Sequence, residues 1–324
     1  MTSSRDTDAE TDVTVTYSIM HRMQTPPYEP RTSSTIPDPA GSSARPNPVM
    51  NLAPKLIYGT AWKGDNTARL VISAFLQGFR AVDTACQPKH YREDLVGEAL
   101  EILQDKHSIK REDVYIQTKF TPFPGQDPTK PLPYNPRDSI PAQIKSSLSK
   151  SLASLHTSYL DAYLLHSPLR TLPLTVEAWR TLMAAQDEGT VRAIGISNVY
   201  DVGVLKALEK ERKVQIVQNR WYEGNAWDKE VWAYCKENGI IYQSFWTLTG
   251  SPALLTHSHT TSLADRLDVT AAQVLFKLAQ LNNVVPLSGT TSELHMQQDL
   301  AAERIVFEKE MLDDYKRITD LIWK

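Results

Sequence analysis

Leu160-Asp161-Ala162-Tyr163-Leu164-Leu165-His166, an amphipathic stretch over 176–189, and then Ala193-Ile194-Gly195-Ile196-Ser197-Asn198 form the passage on which the fold turns. A short apolar run ending in a polar side chain, a helix-length segment and a second short apolar run describe one βα unit leading into the next. The alternation repeats outward in both directions. Strands are expected over 56–58, 81–83, 114–118, 160–165, 193–196, 216–218, 240–244 and 284–287. Helices are expected over 67–77, 92–103, 140–155, 176–189, 202–211, 229–238, 271–282 and 293–301.

Eight strands each followed by a helix predict an α/β chain built as a closed parallel (β/α)8 TIM barrel, a single domain over 51–324. Local signals agree in phase: Asp65 or Asn66 can cap the first helix, Thr270 precedes the seventh, and Gly78, Gly189 and Gly239 stand where helix C-termini need a left-handed residue. The competing architecture, a doubly wound open sheet, normally opens a helix with Gly-x-Gly-x-x-Gly, and Gly195 stands without the other two glycines. Ahead of the barrel, residues 1–50 are rich in Ser, Thr and Pro, show no periodicity, and read as a disordered low-complexity extension.

The formal net charge of −3 is not gathered into a basic stripe, which argues against nucleic acid as a partner. No apolar run approaches the ~18 residues of a membrane span. Cys86 and Cys235 cannot build a disulfide framework, no Cys/His cluster has metal spacing, and the acidic N-terminal residues do not suit a transit peptide, so a cytoplasmic protein without a metal is expected.

In such a barrel, reacting groups gather where the βα loops converge, at the C-terminal ends of the strands. Those ends read Asp83, Lys119, His166, Ser197-Asn198, Gln218 and Phe245. Each polar one has a plain explanation alone: a cap, a solvated strand end, a hydrogen-bonded structural histidine. Five consecutive strands ending in ionisable or amide side chains make the plain explanations weak together.

Gly78-Phe79-Arg80-Ala81-Val82-Asp83-Thr84-Ala85, with Tyr91 and Val96-Gly97-Glu98-Ala99-Leu100 following, resembles the signature of the aldo-keto reductase superfamily. Ile116-Gln117-Thr118-Lys119, the strand ending in His166, Ile194-Gly195-Ile196-Ser197-Asn198, Gln218-Asn219, the strand ending in Phe245 and Ser288-Gly289-Thr290-Thr291-Ser292 continue the likeness in order. The resemblance implies NAD(P)H-dependent reduction of an aldehyde or ketone by Asp83, Tyr91, Lys119 and His166, with NADPH as cofactor and NADH possible. Protonating a nascent alkoxide needs an assisted phenol, because a pKa near 10 is otherwise too weak. Lys119 would assist Tyr91, Asp83 would hold the lysine charged, and His166 would bond the carbonyl oxygen. By the same likeness, His rather than Glu at this position goes with carbonyl rather than C=C reduction.

The resemblance also implies the cofactor contacts. Ser197, Asn198 and Gln218 would hold the carboxamide, and Phe245 would stack on the nicotinamide. Gly59, Thr60, Ala61, Asp83, Trp246, Thr247 and Leu248 would line its path. Ser288, Gly289, Thr290 and Thr291 would offer backbone N–H groups to phosphate at a helix start, with His295, Gln298 and Asp299 nearby. A small carbonyl compound would meet Trp62, Tyr91, Phe120, Phe123 and His166; Tyr134 and the Pro-rich loop 120–136 would shape a fairly apolar pocket. A monomer or weak dimer is expected.

Three departures accompany the resemblance. The family's tyrosine stands closer to the aspartate, at the place of Pro88 here, and Tyr91 is the only tyrosine between Asp83 and Val96. Where many NADPH-preferring members place a Lys and an Arg, this chain has Leu287 and His295. The chain ends soon after Tyr315-Lys316-Arg317, without the long tail that shapes steroid pockets in some relatives, so the βα loops are expected to select the substrate. Two alternatives stay open: a non-catalytic NADP(H)-binding regulatory barrel, which would not need all four catalytic types, and a phosphate-binding isomerase or aldolase with Lys119 as Schiff base.

Overall fold

The computed structural model describes residues 54–323. The proposed extension over 1–50 lies outside them. Eight parallel strands close into a barrel in the order β1 to β8, with β1 pairing β8. They are β1 (Ile57–Gly59), β2 (Ala81–Asp83), β3 (Tyr115–Phe120), β4 (Leu160–Leu165), β5 (Val191–Ser197), β6 (Ile216–Arg220), β7 (Ile241–Phe245) and β8 (Val284–Ser288). Several run further toward the mouth than expected. Lys119, Ser197 and Phe245 are therefore strand residues rather than residues that follow strands.

The helices between them are α1 (Thr67–Gln77), α2 (Glu93–His107), α3 (Ile140–Ser154), α4 (Leu172–Asp187), α5 (Val202–Glu209) and α6 (Lys229–Glu237). After β7 come α7 (Pro252–Leu255), α8 (Ser258–Leu267) and α9 (Ala271–Leu281), and after β8 come α10 (Glu293–Ala301) and α11 (Leu312–Trp323). The sequence reading contained neither α7, α8 nor α11. Few of their residues are buried, and α8 is held by partners on α11: Asp314 takes His259 at 2.7 Å and Arg266 at 3.2 Å.

Thr270 caps α9 in a capping box with Gln273, and Gly78, Gly189 and Gly239 carry positive φ as expected. The cap expected of Asp65 or Asn66 is not made. A 3-10 turn over Gly64–Asn66 runs straight into α1, Thr67 bonds the Gly64 carbonyl instead, and Asp65 pairs with Arg92.

Strand alternation divides the core into two layers. Val82, Ile116, Tyr163, Ile194, Val217 and Tyr242 point outward and pack under the helices. Ala162, Leu164, Ala193 and Ile216 point inward and, with Tyr115 and Ile241, fill the lower barrel. Gly195 belongs to this inner wall: a Cβ there would stand 2.4 Å from the Ile216 carbonyl oxygen and 2.7 Å from a Leu164 methyl. Close packing explains that lone glycine. Above it lies a buried amide layer in which Gln117 donates to Gln243 at 2.7 Å, Gln243 donates back at 2.9 Å, and Gln218 donates to Gln243 at 3.0 Å. Amides so paired keep the interior polar without unmet hydrogen bonds.

Candidate active site

Directly above the amides, strand phase places Asp83 and Lys119 on the inner wall. Both are almost completely buried. Lys119 Nζ donates to Asp83 Oδ1 at 2.7 Å, to Oδ2 at 2.6 Å and to the Thr84 carbonyl at 2.9 Å, which uses all three ammonium protons. Asp83 Oδ1 also accepts from Gln117 at 2.8 Å and Gln218 at 3.0 Å. Burial holds the Lys119 pKa below the usual lysine value, and the Asp83 charge offsets only part of that.

Tyr91 reaches this pair through the loop after β2. His90 and Tyr91 donate their backbone N–H groups to the Gln87 carbonyl, at 3.3 and 3.1 Å, so the extra residues coil into a turn instead of extending the loop. The turn is tethered by Gln87 Nε2 to the Gly125 carbonyl at 2.7 Å and by Trp62 N–H to the His90 carbonyl at 2.8 Å. Lys119 Nζ then lies 5.5 Å from the centre of the Tyr91 ring, and the His166 ring meets it edge-on at 6.0 Å. Burial, then the Asp83 charge, raise the Tyr91 pKa well above the usual phenol value.

His166 is anchored by its backbone N–H to the Phe120 carbonyl at 2.8 Å and shares a 2.7 Å hydrogen bond between Nδ1 and Thr121 Oγ1. Burial, then the Lys119 and His90 charges, push its pKa down to about 3, so the imidazole is neutral at physiological pH. Nε2 is then the nitrogen left for a ligand, a donor in the tautomer where Thr121 donates to Nδ1.

The expected carboxamide contacts sit side by side. Ser197 Oγ donates to the Gln218 carbonyl at 2.7 Å, and Asn198, in the left-handed region at φ 52°, donates to the His166 carbonyl at 2.9 Å. The Gln218 nitrogen is committed to Asp83 and Gln243, leaving its carbonyl oxygen as the acceptor for a carboxamide N–H. Phe245 ends β7 on the inner face. Trp246 follows, half exposed, whereas Thr247 is buried against Ser244 and Leu248 packs into the core, which leaves their backbone as the part able to meet a ligand.

At β8, Ser288 Oγ donates to Asp299 at 2.6 Å, and burial pushes the Asp299 pKa up to about 6. Gly289, Thr290 and Thr291 then lead to Ser292, which caps α10 by accepting from His295 N–H at 3.4 Å. Gly59 ends β1 against Leu287 and Ser288, where a Cβ would be 3.6 Å from the Ser288 carbonyl oxygen. Thr60 is buried and donates to the Asp83 carbonyl at 2.9 Å, with Ala61 next along the same loop. His295 is exposed and Gln298 half-buried on α10.

Two substrate expectations fail. Phe120 is fully buried on the outer face of β3, one residue out of phase with Lys119, and stacks on Tyr134 at 5.4 Å. Tyr134 is itself buried and donates to the Thr121 carbonyl at 2.7 Å. Both hold the loop rather than line the mouth. Trp62, 68 % exposed and stacked on His90 at 3.6 Å, and Phe123, 44 % exposed, remain available to a ligand.

The sequence reading missed Thr121, Gln117, Gln243, Lys63 and Arg220. Period-two phase from Lys119, Gln218 and Phe245 could have found Gln117, Arg220 and Gln243. Nothing local announces Lys63, whose ammonium crosses from the β1 loop to the Gly289 carbonyl.

A parallel eight-stranded barrel with Asp, Tyr, Lys and His at its mouth is the arrangement of a carbonyl oxidoreductase. Residues 55–320 match the model of the Aldo/keto reductase family, and the chain belongs to that family as an NAD(P)H-dependent oxidoreductase. It is 27 % identical over 261 residues to the uncharacterized oxidoreductase YtbE of Bacillus subtilis, covering 80 % of this chain and 85 % of that protein. It is 26 % identical over 231 residues to a glyoxal reductase of the same organism, covering 71 % of this chain and 75 % of the relative. A crystal structure of an aldo/keto reductase from Brucella melitensis superposes with a TM-score of 0.68 at 22 % identity, covering 83 % of this chain and 95 % of that one, a likeness of fold. No helix among the described residues is long and apolar enough to cross a membrane.

Proposed function

We propose that this chain reduces a small aldehyde or ketone to the alcohol, with Tyr91 as proton donor and NADPH as the main cofactor. The observation that carries the reading is the convergence of the Tyr91 ring, the buried Lys119–Asp83 pair and a neutral His166 on one side of the barrel mouth. The nicotinamide, when bound, supplies a hydride to the carbonyl carbon. His166 Nε2 orients the carbonyl oxygen, the Tyr91 hydroxyl gives that oxygen its proton, and the Lys119 charge stabilises the phenolate left behind. Lys119 holds three hydrogen bonds as an ammonium, which suits a fixed charge better than a Schiff-base nucleophile. Two free, buried cysteines suit a cytoplasmic setting.

The neighbouring Ser197, Asn198 and Gln218 fit a carboxamide, and the loop from Ser288 into α10 fits a phosphate group. Trp62 and Phe123 suit an apolar substrate, and the glyoxal reductase relative makes glyoxal a natural first compound. A screen of aldehydes and ketones read at 340 nm with NADPH and with NADH tests the reading. Consumption with at least one carbonyl is expected. Silence across the panel, with cofactor bound, would instead support a regulatory barrel.

Leu287→Lys is expected to tighten NADPH roughly tenfold and leave NADH unchanged, because one charge-assisted bond to the 2′-phosphate is worth about 1.5–3 kcal/mol. Dissociation constants from fluorescence quenching check it. An unresponsive variant would mean that another cation, such as Lys63 at the Gly289 carbonyl, already holds that phosphate.

A further inference from the structure

Arg220 ends β6, and strand phase turns it to the same inner face as Gln218, one layer nearer the mouth. Its backbone is pinned on both sides: the N–H donates to the Tyr200 hydroxyl at 3.1 Å, and the carbonyl accepts from Asn225 Nδ2 at 2.6 Å. Its guanidinium lies 3.8 Å above the Trp246 ring and 5.6 Å from the Phe245 ring. Trp246 is held in turn by the edge of Tyr222 at 5.9 Å. Such stacking orients an arginine without neutralising it.

No carboxylate among the described residues pairs with Arg220, and its Nε is buried without a hydrogen-bond partner. The other arginines that stack on a ring, Arg111 and Arg192 on Tyr159, both pair with Asp161. A half-buried, fixed, unpaired guanidinium is arranged to receive an anion.

The place of Arg220 selects which anion. In the proposed reading, the carboxamide contacts lie on β5 and β6 and the phosphate loop follows β8. The diphosphate joining the two halves of the nucleotide must therefore pass the ends of β6 and β7, where Arg220 and Trp246 stand. Tyr91 reaches the mouth from β2, opposite β6 in the barrel order, so Arg220 approaches the mouth from the cofactor's side of the barrel and not from the strand that brings the proton donor.

We propose that Arg220, steadied on Trp246, is a cofactor-binding residue that takes the diphosphate shared by NADPH and NADH. This rests on the reading of the cofactor site given above. The test compares wild type, Arg220→Met and Arg220→Lys by titration with NADPH and with NADH, followed by tryptophan fluorescence at several NaCl concentrations. Met keeps much of the stem over Trp246, and unchanged melting temperatures control for folding.

Arg220→Met is expected to weaken both cofactors by about tenfold or more, with a shallower salt dependence than wild type. Arg220→Lys is expected to recover part of the loss. Equal affinities in wild type and Met variant overturn the proposal, and so does a loss confined to NADPH, which would assign the guanidinium to the 2′-phosphate. A raised substrate KM with unchanged cofactor affinity also overturns it, in favour of an anionic substrate group. A wild type that binds neither cofactor removes the underlying reading as well, an outcome distinct from the others.

Discussion

Tyr91→Phe is expected to lower turnover roughly 100-fold or more while NAD(P)H still binds, since acid catalysis of this kind contributes about 10²–10⁴-fold. The turn after β2 lays the ring 5.5 Å from the Lys119 ammonium and against His166, while Lys119 has all three protons engaged and His166 is neutral with a pKa of about 3. Burial and the Asp83 charge hold the phenol proton until an alkoxide forms to take it. Neither group titrates between pH 5 and 8, so turnover should show no inflection from them in that window. Stopped-flow and steady-state rates check both statements. Near-normal turnover would give the acid role to another residue.

His166 also affects stability. Its folded pKa is depressed, so below about pH 6.5 the unfolded chain takes a proton that the folded chain refuses. Stability from this group is present above that pH and is lost as pH falls toward 3.

Asp83→Ala is expected to cost about 3–5 kcal/mol of stability, the range seen when one partner of a buried ion pair is removed. Lys119 is 1 % exposed and would be left with only the Thr84 carbonyl, and Gln117 and Gln218 would each lose an acceptor. The double variant Asp83→Ala/Lys119→Met should regain much of the loss, because no charge then remains buried. Urea unfolding of the wild type, the two single variants Asp83→Ala and Lys119→Met, and the double variant gives the coupling. A loss below about 1 kcal/mol would mean that Lys119 finds another acceptor or sheds its proton cheaply.

The eight strands were legible because a strand buried on both faces must be a short apolar run, and the polar ends of five of them marked the mouth. Phe120 was legible too and was misread: Lys119 faces inward, so its neighbour must face the helices. Helix α8 was not legible, because its apolar content is low and part of its hold comes from the contacts of His259 and Arg266 with Asp314 on α11. Lys63 could not be placed by any local pattern, since its long side chain crosses to another strand's loop, and strand phase could turn Arg220 inward but could not show that it stacks on Trp246.

The amino-acid sequence by itself determined the barrel, its strand order and the Asp83, Lys119 and His166 ends of its strands, because burial period and strand-end composition are local properties of the chain, and the family resemblance added Tyr91. Only the tertiary structure decided that the longer loop coils to return Tyr91 to Lys119, that His166 is neutral, and that Arg220 stands unpaired on Trp246. The reason is physical: charge state and reach depend on desolvation and on partners brought from distant strands, and neither is encoded in the spacing of neighbouring residues.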